Sequence, residues 1–182
     1  LGEPMSIGRL DQYLIEAYDA DIKAGRLTLA GAQEIIDAFW LKMDETVLYN
    51  RQHMQDYLTY GTGAVFYANS PYGFPQGSAL NQWVQQVTVG GYLPTDDKVP
   101  RDGCNAVTFM CLRASRRLPL NAPCLSLRVH GKMNKPIHKQ IIEEAAKAIL
   151  SGGAHPILIN DDKLSEGLRK SGPISLADSR DY

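Results

Sequence analysis

Nowhere in the 182 residues does an apolar run reach the ~18 residues that a membrane-crossing helix needs, so the sequence supports no membrane span. The opening LGEPMSIGRL lacks the basic start and apolar stretch of a secretory leader, and it does not begin with Met. Charge of one sign is missing as well. A net charge of -1 gives no global pull toward nucleic acid or a membrane surface. The most basic stretch, CLRASRRL, spaces Arg113, Arg116 and Arg117 as on a helix and reads as a solvated face rather than a phosphate site. Cysteine is scarce: Cys104, Cys111 and Cys124 match no CxxC zinc pattern, and their odd number argues against a disulfide framework. They read as reduced thiols of a cytoplasmic protein. His53, His130, His138 and His155 stand apart, with no HExxH and no pair at helical spacing, so no metal site is expected. GTG and VGG are not phosphate loops, and ANSPYG lacks the GxSxG of a hydrolase elbow. The pairs Asp96–Asp97 and Asp161–Asp162 read as a turn and a helix start rather than as catalytic carboxylates. No internal repeat is present.

What the sequence does have is the material of one packed domain: 44% apolar and 21% charged residues, in a chain long enough for a full core. Leu10, Tyr13, Leu14, Ala17, Tyr18 and Ile22 recur at helical steps from Arg9 to about Ala24, and Gly25 is the expected stop. Thr28 is placed to cap a second helix that buries Leu29, Ala32, Ile35, Ile36, Phe39, Trp40 and Met43. The short connection predicts antiparallel neighbours within a helical pair over about 8–48. Residues 60–91 carry no charge at all and are rich in Gly, Pro, Asn, Ser and aromatics. A solvated linker of that length carries charge or low complexity, so this segment reads as buried loop and short strand, the material of a pocket wall.

From about 104 to 182 the pattern becomes strand–helix units. Asn105–Leu118 is helical, with Val107, Met110, Cys111 and Ala114 as its stripe. PCLSLRVH alternates Leu125, Leu127 and Val129 against Ser126, Arg128 and His130, the period of a strand. Pro136 opens a helix to Leu150 with Ile137, Ile141, Ala145, Ala148 and Ile149 inward. HPILIN is expected to be a buried strand, and Asp161 or Asp162 to cap the helix after it. Strand, helix, strand, helix predicts parallel strands with crossover helices, an α/β fold. The end, ISLADSRDY, shows no capping or closing helix and reads as leading into something. Both ends look cut, as in an internal fragment.

Four ordered blocks carry a resemblance: SIGRLDQYLIEAYDADIKAGRLTLAGAQEIIDAFWLKM, QWVQQVTVGG, LPLNAPCLSLRVH and GGAHPILINDDKL. Together they resemble the glycyl radical enzyme family, whose best-known member is pyruvate formate-lyase, and lie closer to its dehydratase, lyase and decarboxylase branch. The resemblance implies a partial glycyl radical enzyme barrel, with parallel strands of a ten-stranded α/β barrel and outer helices. It also implies that a segment like SRDY is followed within a few residues by the cysteine that becomes a thiyl radical. The radical glycine would lie near the far end of a longer parent. By the same resemblance the parent is an anaerobic, cytoplasmic homodimer. It would abstract hydrogen from a small-molecule substrate and cleave a C–C, C–O, C–N or C–S bond. A radical SAM activase with an iron–sulfur cluster would install the radical, and this piece itself would bind no cofactor. Dehydratase-type members contact substrate just before the Gly-Arg pair, here Glu3, Pro4, Met5 and Ser6. The His-Ser of glycerol dehydratase is missing there, which counts against that reaction. Val84 matches the pocket tryptophan of pyruvate formate-lyase, leaving space for a bulkier substrate. Trp83 and Val87 flank it, so Ser6, Trp83, Val84 and Val87 are the expected substrate-binding residues, with no catalytic residue and no metal ligand in the chain.

Gly8, Arg9, Asp11 and Gln12 read as a structural network at a helix start. Gly90 and Gly91 read as points of close backbone approach, and Asn160 and Asp161 as a cap that also braces the cysteine loop. Two alternatives remain: a non-catalytic barrel paralogue or binding module, and the acyl transfer of a formate acetyltransferase. The isolated piece is expected to be inactive, to expose strand edges and to unfold with little cooperativity.

Overall fold

The computed structural model describes residues 6–44, 85–120, 123–151 and 156–181. In chain order these form β1 (Ser6–Arg9), α1 (Leu10–Lys23), α2 (Leu29–Asp44), β2 (Gln86–Gly90), α3 (Ala106–Arg117), β3 (Cys124–Val129), α4 (Pro136–Leu150), β4 (Ile157–Asn160), α5 (Asp161–Ser171) and α6 (Leu176–Asp181). The strands form one sheet in sequence order, every pair parallel. Parallel neighbours cannot be joined by a hairpin, so α3 and α4 are the crossovers between β2, β3 and β4.

Local chemistry sets the helix ends. The Asn105 side chain accepts the N–H groups of Val107 and Thr108, and the Thr108 hydroxyl accepts the Asn105 N–H in return, closing a capping box on α3. Thr28 Oγ1 accepts the Gly31 N–H at 3.0 Å at the head of α2. Gly25 follows α1 with φ 69°, a left-handed stop, and Pro136 opens α4 at its first turn.

Val87 and Val89 of β2 and Leu125 and Leu127 of β3 are fully buried under one layer of helices. Val107, Cys111 and Ala114 of α3 and Ile141 and Ala145 of α4 complete that layer, with Trp40 behind them. Each such aliphatic side chain is worth about 1.5–3 kcal/mol of burial.

Four expectations need correction. α1 and α2 each pack chiefly on α3 instead of on each other. Their outward apolar residues stay open: Tyr13 is 57% exposed, Leu29 64% and Ile35 59%. β4 is not buried, for it is the sheet's edge and Ile157 and Leu158 are half exposed. Of the residues expected to cap α5, Asn160 does so, its side chain accepting the Lys163 N–H at 3.0 Å, while Asp161 and Asp162 are engaged elsewhere. Finally, the last residues do close into a short helix, α6, started by Ser175 Oγ accepting the Asp178 N–H at 3.0 Å.

Candidate functional site

Alternation gives the sheet two unlike faces. Odd-numbered Val87, Val89, Leu125 and Leu127 point to the helices, so even-numbered Gln86, Thr88, Ser126 and Arg128 point the other way. They line a concavity of about 480 Å³ together with Ser6, Gly8, Ile159, Leu164 and Asp181. Gln86 Nε2 donates to Ser126 Oγ at 2.5 Å across neighbouring strands. A parallel sheet is ordinarily apolar on both sides. Hydroxyl and amide groups on one side mark a face built to meet polar chemistry.

Two buried guanidiniums, both fully inaccessible, stand at the C-terminal ends of β1 and β3. Arg9 donates to the carbonyls of Gly90 at 2.6 Å, Tyr92 at 2.8 Å and Arg180 at 2.5 Å. Arg128 donates to the same Arg180 carbonyl at 2.7 Å and, through Nε, to Asp161 Oδ1 at 2.6 Å, with a second contact from Nη2. The carboxylates hold the facing donors: Gly90 N–H reaches Asp11 Oδ2 at 2.7 Å, and Tyr92 N–H reaches Asp161 Oδ2 at 2.6 Å. The turn Gly90–Gly91–Tyr92 is therefore gripped at its oxygens by arginine and at its nitrogens by aspartate. Both glycines have left-handed φ, and a Cβ would lie 2.7 Å from the Arg128 carbonyl at Gly90 and 2.7 Å from Asp161 Oδ2 at Gly91. Burial pushes the Arg9 guanidinium down, Asp11 opposes it, and it remains a cation because arginine begins above 12. Burial pushes the Asp11 carboxyl up, opposed by the Thr108 hydroxyl and the Gly90 N–H.

A second polar node lies between α3, β3 and α4. Asp102 accepts from His138 Nε2 at 2.8 Å, Lys135 Nζ at 2.9 Å and the Cys104 N–H at 3.1 Å, with His130 Nε2 at 3.3 Å. The His130 ring stacks on Tyr92 with centroids 4.1 Å apart, and the Tyr92 hydroxyl donates to Asp162 at 2.8 Å. Burial alone would raise the Asp102 carboxyl. Lys135, the Cys104 N–H and His138 instead hold it well below the usual carboxylate range.

Asp102, Cys104 and His130 lie close enough to share a metal ion. In this arrangement His130 Nδ1 accepts the Lys132 N–H and His138 Nδ1 accepts the Lys135 N–H, which directs each Nε2 at Asp102. The node is a hydrogen-bonded carboxylate. Burial and Asp102 push the Cys104 thiol up to about 12, and burial raises Cys111 and Cys124 elsewhere in the fold, the opposite of the lowering that activates a thiol.

Among the expected substrate residues, Ser6 lies on β1 opposite Gln86 and lines the concavity. Val87 does not face it. Strand alternation turns Val87 into the helix-side core, and Gln86 and Thr88 take the open face. Trp83, Val84, Glu3, Pro4, Met5, His53, His155 and residues 60–84 lie outside the described residues. The structural reading of Gly8–Gln12 agrees with the geometry, since Arg9 and Asp11 serve the turn and Gln12 Nε2 donates to the Gly103 carbonyl at 2.7 Å. Sequence reasoning missed Arg128, which alternation alone would place toward water. It also missed the meeting of His130 with His138 through Asp102, residues that nothing in linear spacing joins.

The family model for pyruvate formate lyase-like proteins matches residues 1–182. The isethionate sulfite-lyase of Desulfovibrio desulfuricans is 31% identical over 167 residues, which are 90% of this chain and 16% of that protein. A solved structure concerned with 1,2-propanediol dehydration in Roseburia inulinivorans superposes with a TM-score of 0.73 at 27% identity, covering 100% of this chain and 18% of that one. A glycyl radical enzyme from Archaeoglobus fulgidus shares the fold, with a TM-score of 0.73 at 24% identity over 99% of this chain and 20% of its own. The chain thus spans less than a fifth of the curated relative it matches.

Proposed function

The chain belongs to the pyruvate formate lyase-like family of glycyl radical enzymes, in its dehydratase and lyase branch, and from that premise we propose that its polar sheet face is one wall of a radical-chemistry pocket in a longer enzyme. The observation that carries this reading is the two-faced sheet. Its apolar side is sealed by helices, while Ser6, Gln86, Thr88, Ser126 and Asp181 line the concave side. The radical supplies hydrogen abstraction from a substrate carbon. This chain's residues orient and exclude: the polar groups of that face hold a small substrate in place, and the packed layer behind them keeps water out. The expected bond broken is C–O, C–S, C–N or C–C in a small alcohol, amine or acid. The parent is expected to be a cytoplasmic homodimer activated by an iron–sulfur radical SAM partner.

Asp181 lines the concavity, so chain continuing past it would enter at that wall. Reading the gene past the codon for Tyr182 is the direct test, followed by anaerobic activation of its full product. A cysteine within a few residues and a carbon-centred radical signal are expected. An intact gene product without that cysteine would overturn the radical reading and leave a binding barrel. Two adjacent cysteines would move the chemistry to acyl transfer.

A further inference from the structure

We propose that Arg9 and Arg128 are positioning residues that aim the segment following Arg180 at the polar sheet face, an inference that rests on the radical-enzyme reading above. Two fully buried guanidiniums from strands at opposite flanks of β2 converge on one peptide oxygen, that of Arg180, at 2.5 and 2.7 Å. Buried charges are costly and are retained where a partner repays them. The ion pair with Asp161 uses Nε and Nη2 of Arg128, which leaves Nη1 for the Arg180 carbonyl. Among the described residues Arg9 directs its hydrogen bonds at carbonyls.

The Arg180 side chain adds a third tie by donating to the carbonyls of Thr95 at 2.5 Å and Asp97 at 2.9 Å. Asp96 Oδ1 accepts the Ala177 N–H at 2.9 Å. The backbone at 177–180 is therefore fixed from three sides, and the next residue, Asp181, already lines the concavity. A peptide plane fixed at its carbonyl fixes the direction in which the next residue leaves, because only two soft dihedrals per residue remain. Arg128, though it lines the concavity, directs its hydrogen bonds to Asp161 and to the Arg180 and Ser179 carbonyls, and Arg9 directs its own to carbonyls. They act through the backbone they hold.

Arg128→Lys in the full-length enzyme is the first test. A lysine retains the charge facing Asp161 and loses the planar fork that reaches two partners at once. With thermal midpoint and radical content matched to the parent, kcat is expected to fall about 100-fold while KM stays within about twofold, the signature of a misplaced reactive group. Arg9→Lys is expected to act the same way, and amides just after Arg180 should exchange faster in both variants. Unchanged kcat in both folded, radical-bearing variants overturns the proposal. So does a loss of turnover that merely tracks loss of folded protein or of radical. If the parent forms no radical at all, the functional reading falls instead. The exchange measurement, which needs no radical, then decides the anchoring alone: faster exchange after Arg180 upholds it and unchanged exchange rejects it.

Discussion

Two buried polar clusters among the described residues are built on opposite charges. At the strand ends the central groups are cations, Arg9 and Arg128, and what they grip is mostly backbone oxygen. Between α3, β3 and α4 the central group is an anion, Asp102, and what it collects is mostly side-chain donors, two of them histidines. A guanidinium stays charged at any ordinary pH, so the first cluster is a fixed mechanical joint. Imidazoles change charge near neutrality, which makes the second conditional. The joint keeps one acid-sensitive member, Asp11, whose carboxyl burial pushes up.

Removing an anion from the joint should have the largest effect. Asp161→Ala leaves Arg128 buried beside no carboxylate, a change expected to cost about 3–5 kcal/mol. Native-state hydrogen exchange at β2 and β3 amides reads it; protection within about 1 kcal/mol of the parent would show that the carbonyls alone suffice. Gly90→Ala probes the same joint sterically. Its Cβ would meet the Arg128 carbonyl at 2.7 Å in a left-handed backbone, so a loss of about 1–3 kcal/mol is expected in the same measurement.

For the node, Asp102→Asn presents an N–H₂ group to donors and is expected to cost about 1–3 kcal/mol, localised to the starts of α3 and α4. Acid should loosen the node through its histidine. Burial depresses His130, opposed by the Asp102 carboxylate. Around that ring stand Asp102, Cys104, His138, Tyr92 and Asp161, with the Lys132 N–H on Nδ1. With a folded value below the unfolded one, His130 contributes its stability above about pH 6.5 and loses it as pH falls further. Asp102, also depressed, has the same sign at lower pH. Exchange protection near residues 102–105 is expected to fall between pH 6.5 and 5 while protection at the Arg180 amide persists; a uniform loss would erase the contrast. As the smallest effect, Asp21→Asn removes an exposed pair with Arg26 and should change stability by less than about 1 kcal/mol.

Much of the scaffold was legible beforehand because it rests on local rules. Asn105, Thr28 and Pro136 announce helix starts by short-range hydrogen bonding or ring geometry, and alternation announces β3. The parallel order follows from strand–helix alternation. What was not legible depends on which face meets what. The same alternation that identifies β3 assigns Ser126 and Arg128 to solvent by default, yet both are buried. Val87 was misassigned for a related reason: proximity to Gly90–Gly91 in sequence says nothing about which side of the strand a residue takes. The openness of Tyr13, Ile35 and Ile157 was hidden too, since an apolar stripe shows that a surface seeks cover and not what covers it.

The anchor at Arg180 holds peptide oxygens, and every amino acid supplies one. Past Arg180, whose own side chain is one of the ties, a segment secured in this way can change its side chains over generations without losing its attachment. The two arginines fix where it sits and leave open what it says. Within such a framework new chemistries can be tried by rewriting the residues that follow while the mooring stays untouched.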